Sequence, residues 1–189
     1  MKPHDYKFRI FTLRHLGFVG IFAGMVFIAY LIVGSGVIEN WVLRGGSWWL
    51  GLAFLGGLLY TTFSTTPIAV AIFISLAGAG APGFLVAMLG GVGAAIGDTG
   101  LLAALRIGII DEALAYFARK THGAFAKFMH RRLVRIVTIL LGGIIVASPL
   151  PDELGIAIMG LTHLPNRYIM LVSFFFNTAS IATIVYLAH

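Results

Sequence analysis

Ser148-Pro149-Leu150-Pro151-Asp152-Glu153 is the stretch on which the reading of the chain turns. It lies between apolar runs at 133–147 and 154–161, each too short to cross a bilayer, which takes about 20 apolar residues. The stretch therefore predicts a hairpin that dips into the membrane and returns. Two prolines remove backbone donors and bar regular helix, and two carboxylates follow at once. Broken backbone at membrane depth is tolerated only inside protein or beside a wet cavity. An ionisable residue there costs about 2.5–3.5 kcal/mol on insertion scales, which marks it as a functional candidate. Ser148, Pro149 and Pro151 are expected to make the break, and Asp152 and Glu153 to bind substrate or carry a proton. The plainer alternative is an interfacial loop whose acids sit in water.

Composition sets the medium. Of 189 residues, 59% are hydrophobic and 11% charged, whereas a soluble domain is about a quarter charged. An all-α integral membrane protein is expected. Cysteine is absent, which excludes disulfides, thiolate metal sites and cysteine nucleophiles. The six histidines are scattered, with no HExxH and no Ser/His/Asp grouping, so neither an enzyme, a metal centre nor a cofactor is expected. No basic stripe with interleaved aromatics occurs outside the membrane flanks, which argues against nucleic acid as a partner. The run at 16–38 is too long for a signal-peptide core and lacks a cleavage pattern, so it is expected to stay as a membrane helix.

Charge orders the rest. Residues 1–15 form a basic, partly amphipathic lead-in at headgroup level. An N-terminal transmembrane helix follows at 16–38, with Gly20 and Gly24 spaced for a close helix contact. Twelve of the thirteen Lys and Arg residues, all but Arg44, fall on one side if the N-terminus is cytoplasmic. The positive-inside rule then puts 39–46 outside, where Trp41, Trp48 and Trp49 make an aromatic belt. Residues 47–80 admit a full span at 48–65 or a re-entrant hairpin with arms 48–63 and 67–78. A span would place seven basic residues between 106 and 135 on the wrong face, so the hairpin is preferred. Its break is expected at Thr66 and Pro67, with the hydroxyls of 61–66 satisfying freed backbone groups. Residues 82–105 then cross inward, 106–132 form a basic cytoplasmic connector with a helix at 113–128, and 133–189 hold a second hairpin and a last span. The connector reads as a topology signal in preference to a lipid-sensing switch.

The two units parallel one another. Thr66-Pro67 with Ala81-Pro82 matches Ser148-Pro149 with Leu164-Pro165, at proline intervals of 15 and 16 residues. The first hairpin enters from outside and the second from inside, so the repeat of 47–105 and 133–189 is inverted. Inverted repeats with broken helices near the midplane are the architecture of secondary transporters.

Gly93-Ala94-Ala95-Ile96-Gly97-Asp98, with Arg106 eight residues on, resembles the GAxxGDxxxYxxGR signature of the DedA family, in the VTT or SNARE-associated superfamily. The stretch from Ala157 to Tyr168 is similar to the hand-over from that family's second hairpin to its last helix. The resemblance covers roughly 61–189. Leu102 and Leu105 replace the signature's Tyr and Gly, 66–71 lack the family's glutamate, and Asp152 stands where the family carries an arginine. Pro149-Leu150-Pro151 also resembles a small family of multidrug exporters. The DedA resemblance implies translocation of a lipid, chiefly undecaprenyl phosphate, across the plasma (inner) membrane, with protons as coupling partner. The alternatives are a proton-coupled exporter of small cations or drugs and a non-transporting membrane assembly factor. Monomer and homo-oligomer both stay open.

Five residues are singled out for substrate or proton binding: Asp98, Arg106, Asp152, Glu153 and Arg167. Glycines at 93 and 97 predict tight packing around Asp98. Arg106 lies two turns further along and offers an ion pair. Arg167 opens the last helix at the inner surface, as a phosphate ligand or a plain interface anchor. His163 reads as a surface residue in preference to a titrating one. Asn177 sits inside the last span and is placed to bond across helices.

The topology has a direct check in a chain without native cysteine. An impermeant maleimide applied to intact cells should label Gly46→Cys and spare Gly123→Cys; the reverse pattern would overturn the inverted arrangement.

Overall fold

The computed structural model describes residues 3–44, 46–107, 111–120, 131–146, 152–160 and 165–188, with the backbone alone for 3–18, 111, 113, 114, 117, 118 and 152. The described residues are helical, without strands. Helix α1 (Pro3–Ser35) bends by 43° at Gly36 into α2 (Val37–Leu43). Gly36 holds a φ of 61°, a left-handed conformation that glycine adopts without steric cost. The expected outside loop at 39–46 is thus helical as far as Leu43.

Among the described side chains of α1, 19–35, a narrow stripe is covered. Phe22, Met25, Ala29 and Ile32 turn inward while their neighbours stay exposed. Among the described residues nothing lies within 4 Å of a Cβ built at Gly20 or Gly24, where a close helix contact is expected. Both glycines fall off the stripe by which the helix docks.

The first broken pair is α3 (Trp48–Tyr60) and α4 (Thr66–Gly78). Each is apolar and shorter than a bilayer crossing. Hydroxyls hold the break between them. Thr61 Oγ1 donates to Leu58 O at 3.0 Å, Thr65 Oγ1 to Leu59 O at 2.5 Å, and Thr66 Oγ1 to Tyr60 O at 3.3 Å. These are the carbonyls a helix leaves without partners at its C-terminus. Pro67 sits in the first turn of α4, where its missing N–H costs no helical bond.

Then come α5 (Gly83–Leu105), α6 (Asp111–Lys120), α7 (Arg132–Val146), α8 (Asp152–Gly160) and α9 (Asn166–Ala188). The helix expected at 113–128 begins two residues earlier and is described as far as Lys120. Ser148, Pro149, Pro151 and His163 lie outside the described residues. Among those described, α5 and α9 are long and apolar enough to cross a membrane, and the bent α1–α2 pair makes a third. These are the helices of a membrane-embedded protein.

Helices α5 and α9 run antiparallel, and their contacts fall in rungs. Arg106 meets Asn166, Asp98 meets Ser173 and Asn177, Gly91 meets Thr178, and Gly90 meets Ile181. Glycine permits the crossings that surround this pair. Gly57 of α3 lies on the backbone of Gly90, Gly93 on the Phe54 carbonyl, and Gly142 of α7 on Gly155 of α8, with no room for a Cβ. Such small-residue seams let helix backbones approach where lipid supplies no hydrophobic drive to associate. Two apolar cores result. One gathers Phe73, Leu76, Val86 and Ile181 beneath the first broken pair; the other gathers Leu102, Val146, Ile156, Met159 and Ile169 around α8.

Gly57→Ala should lower the unfolding midpoint in detergent, since overpacking costs about 1–3 kcal/mol and here the obstacle is backbone. Gly51→Ala, where nothing lies within 4 Å, should be neutral or slightly stabilising, because alanine gains about 1 kcal/mol of helix propensity. Equal midpoints for the two variants would refute the close crossing. For the labelling experiment, Ser47→Cys is the better outside reporter, because Gly46 has a φ of 134° that a side chain strains.

Candidate functional site: a buried polar cluster between the broken helices

Asp98 points from α5 into the middle of the helical packing and is wholly buried. Gly97 beside it packs on Thr61, at the break after α3, and Gly93 one turn earlier admits the α3 backbone. The glycines at 93 and 97 thus bring α3 close enough to shield the acid from lipid. A carboxylate buried without partners costs several kcal/mol, and α9 supplies two. Ser173 Oγ donates to Asp98 Oδ2 in a short hydrogen bond. Asn177 Nδ2 donates to the same oxygen at 2.8 Å and lies 3.1 Å from Ser173 Oγ. Ser173 and Asn177 are also fully buried, and their spacing of four residues stacks them on one helix face.

Glu153 reaches the cluster from α8. Its Oε1 accepts a hydrogen bond from the Phe63 N–H at 3.1 Å, so α8 is tied to the turn between α3 and α4. Asp98 and Glu153 flank the same turn, Asp98 through Gly97 packed on Thr61 and Glu153 through the Phe63 N–H. Phe63 in turn stacks on Phe22 of α1, ring centroids 4.7 Å apart and planes within 9°. Above the cluster, Tyr60 Oη and Ser180 Oγ share a hydrogen bond of 2.7 Å that ties α3 to α9.

The five expected site residues therefore divide. Asp98 and Glu153 both lie beside the break after α3. Arg106 and Arg167 lie at the other end of the α5–α9 contact, two turns along from Asp98. The expected ion pair between Asp98 and Arg106 gives way to different partners: Asp98 is held by Ser173 and Asn177, and Arg106 Nη1 donates to Asn166 Oδ1 at 2.5 Å. The antiparallel register explains this, because it sets Arg106 level with the first turn of α9 and Asp98 level with the middle. Arg167 is exposed and covers the Tyr168 ring at 5.0 Å, an interface arrangement. Asp152 opens α8; the role expected of its side chain lies outside what is described.

The cross-helix bond expected of Asn177 is present. Ser173 carried a usable signal that the sequence reading passed over: a hydroxyl one turn before Asn177, on the same face of an apolar span. Between the N-terminal half of α5 and the C-terminal half of α9 runs an apolar groove of about 570 Å³, lined by Gly83, Phe84, Ala87, Phe174, Thr178 and Tyr186 among others. Among the described residues no group of three or more His, Cys, Asp and Glu gathers at one point. No protein-family model matches the chain, and no curated protein or solved structure matches it. Fold and site together define a membrane-embedded protein, helical among the described residues, with one acid buried between α5 and α9 and a second, half-buried one capping the turn after α3.

Direct contact predicts energetic coupling. In a double-mutant cycle, Asp98→Asn with Ser173→Ala should deviate from additivity by about 0.5–3 kcal/mol in unfolding free energy, whereas Asp98→Asn with Arg106→Gln should add to within about 0.5 kcal/mol. Coupling to Arg106 and additivity with Ser173 would reverse the assignment of partners.

Proposed function

We propose that the protein is a DedA-like membrane transporter. It translocates a lipid with a phosphate headgroup, of the polyprenyl phosphate class, across the plasma membrane, coupled to protons carried at Asp98 and Glu153. One observation carries this reading: two acids from different helices flank one helix break within apolar packing, Asp98 beside Gly97 on Thr61 and Glu153 on the Phe63 N–H. Buried ionisable groups at broken helices mark substrate and ion pathways in membrane proteins.

In this reading the units 47–105 and 133–189 form an inverted repeat, the N-terminus is cytoplasmic, and Arg106 and Arg167 present cations to a headgroup at the inner surface. The groove between α5 and α9 favours lipid over a small cation or drug as cargo, because its lining is apolar and lies beside the exposed faces of Phe84, Phe175 and Tyr186. An acyl or prenyl chain is what a bilayer sets against such a surface.

Proteoliposomes test the proposal. The wild-type chain should move a fluorescent polyprenyl phosphate between leaflets faster when a pH gradient is imposed. Glu153→Gln, which keeps an acceptor for the Phe63 N–H, should lose the gradient response and retain its unfolding midpoint. Gradient-driven movement at the wild-type rate in the Glu153→Gln, Asp98→Asn double variant would sink proton coupling. No movement by the wild-type protein under any gradient would sink transport.

A further inference from the structure

After Glu112 the sequence holds only two acids, Asp152 and Glu153, and neither α7 nor α9 contains one. Arginine is placed quite differently. Arg106 follows the end of α5, Arg132 and Arg135 lie in the first turn of α7, and Arg167 lies in the first turn of α9.

The packing of α7 fixes the level of its two arginines. Gly143 of α7 lies on the Phe176 ring of α9. One turn earlier in each helix, Ile139 and Val172 pack against the same apolar core. The two helices therefore run parallel, and one further turn back sets Arg135 level with Tyr168. Arg106 is fixed at that end by its bond from Nη1 to Asn166 Oδ1 at 2.5 Å. The face is defined as well. Arg132, Arg135, Ile139, Gly142 and Val146 recur at spacings of three and four, which is one stripe of a helix. Gly142 lies on Gly155 and Met159 of α8, and Val146 is wholly buried. Leu133, Val137, Leu140 and Ile144, on the opposite side, are exposed. The arginines thus continue the packed stripe beyond the apolar core. Arg135 is half-buried, and its buried Nε has no hydrogen-bond partner among the described residues; buried donors are nearly always satisfied.

We infer that the ends of α5, α7 and α9 form a binding surface for the phosphate headgroup of an anionic phospholipid, with Arg106, Arg132, Arg135 and Arg167 as its cations. Charge complementarity selects the occupant. Asp98, two turns from Arg106, is held by Ser173 and Asn177, and Glu153 by the Phe63 N–H. Asp111 and Glu112 belong to α6. A charge run that only sets topology takes lysine as readily as arginine and needs no particular helix face. These four are all arginine, whose planar fork meets phosphate in a bidentate manner. Basic pockets between helices at the bilayer surface bind such headgroups. The acyl chains then run along the exposed outer face of α7. The surface rests on the proposed function in taking this end of the helices to meet headgroups, but it holds a lipid at equilibrium and requires no transport.

The test places the purified full chain in phosphatidylcholine nanodiscs with a trace of spin-labelled lipid and measures the motionally restricted fraction by electron paramagnetic resonance. Spin-labelled phosphatidylglycerol should associate about threefold more strongly than spin-labelled phosphatidylcholine with the same chains. The Arg132→Gln, Arg135→Gln double variant should lose most of that preference and keep its unfolding midpoint. Arg132→Lys with Arg135→Lys, which keeps the charge and loses the fork, should lose part of it. Arg119→Gln with Lys120→Gln removes equal charge from α6 and should leave the preference in place. Should the double glutamine variant fail to fold, Arg132→Gln alone decides, since Arg132 is exposed. Equal association of the two lipids with the wild-type chain overturns the surface. So does an equal loss in the α6 variant, the mark of diffuse attraction, or full displacement by inorganic phosphate, the mark of an ion site. Because no gradient is applied, lipid preference without movement between leaflets sinks the transport reading alone, and movement without preference sinks this surface alone.

Discussion

The hydrogen bonds from Ser173 and Asn177 to the buried carboxylate of Asp98 are the constraint from which much of the structure follows. A charge within apolar packing demands donors, and donors on a second helix require that helix to come close and keep a single register. Glycine permits the approach at Gly90, Gly91, Gly93 and Gly97, each pressed against a neighbouring helix or its side chains. Apolar packing alone would allow α5 and α9 to slide or rotate against one another at little cost, since membrane helices gain no hydrophobic energy by associating. A polar contact at mid-span removes that freedom.

Broken helices pose a related problem. The end of α3 leaves carbonyls unpaired inside the packing, and Thr61, Thr65 and Thr66 satisfy them. The chain's own hydroxyls thus replace the water that a soluble loop would use. Glu153 then takes the Phe63 N–H, a donor on the same break. One acid serves as cap for a turn that lies 90 residues earlier, and this joins the break after α3 to the start of α8. The bonds around the break after α3 and those around Asp98 are separate groups set side by side by the contact of Gly97 with Thr61. Within each group low dielectric strengthens every bond and penalises every orphan.

The helical, membrane-embedded character was legible in the sequence, because length of apolar run and scarcity of charge depend on no partner. The break at Thr66-Pro67 was legible too, since proline's missing N–H and the run of hydroxyls are local chemistry. Asp98 stood out for a similar reason: an acid between glycines in an apolar span has few structural excuses. The glycines at 20 and 24 misled, because spacing shows which residues share a face and leaves open whether any helix lies against it. Gly36 passed unnoticed for the converse reason, a left-handed bend being one of several conformations a glycine permits.

Tertiary structure alone decided the partners. Arg106 is nearer to Asp98 in sequence than Ser173 is, yet the antiparallel register of α5 and α9 sets Ser173 opposite the acid and gives Arg106 to Asn166. Glu153 and Phe63 meet across a distance in sequence that no local pattern encodes. Residue type determines what each group requires: a donor for a carboxylate, an acceptor for an N–H, a small neighbour for a close crossing. Which group meets the requirement is a matter of register and crossing geometry, and those are set only when all the helices pack together.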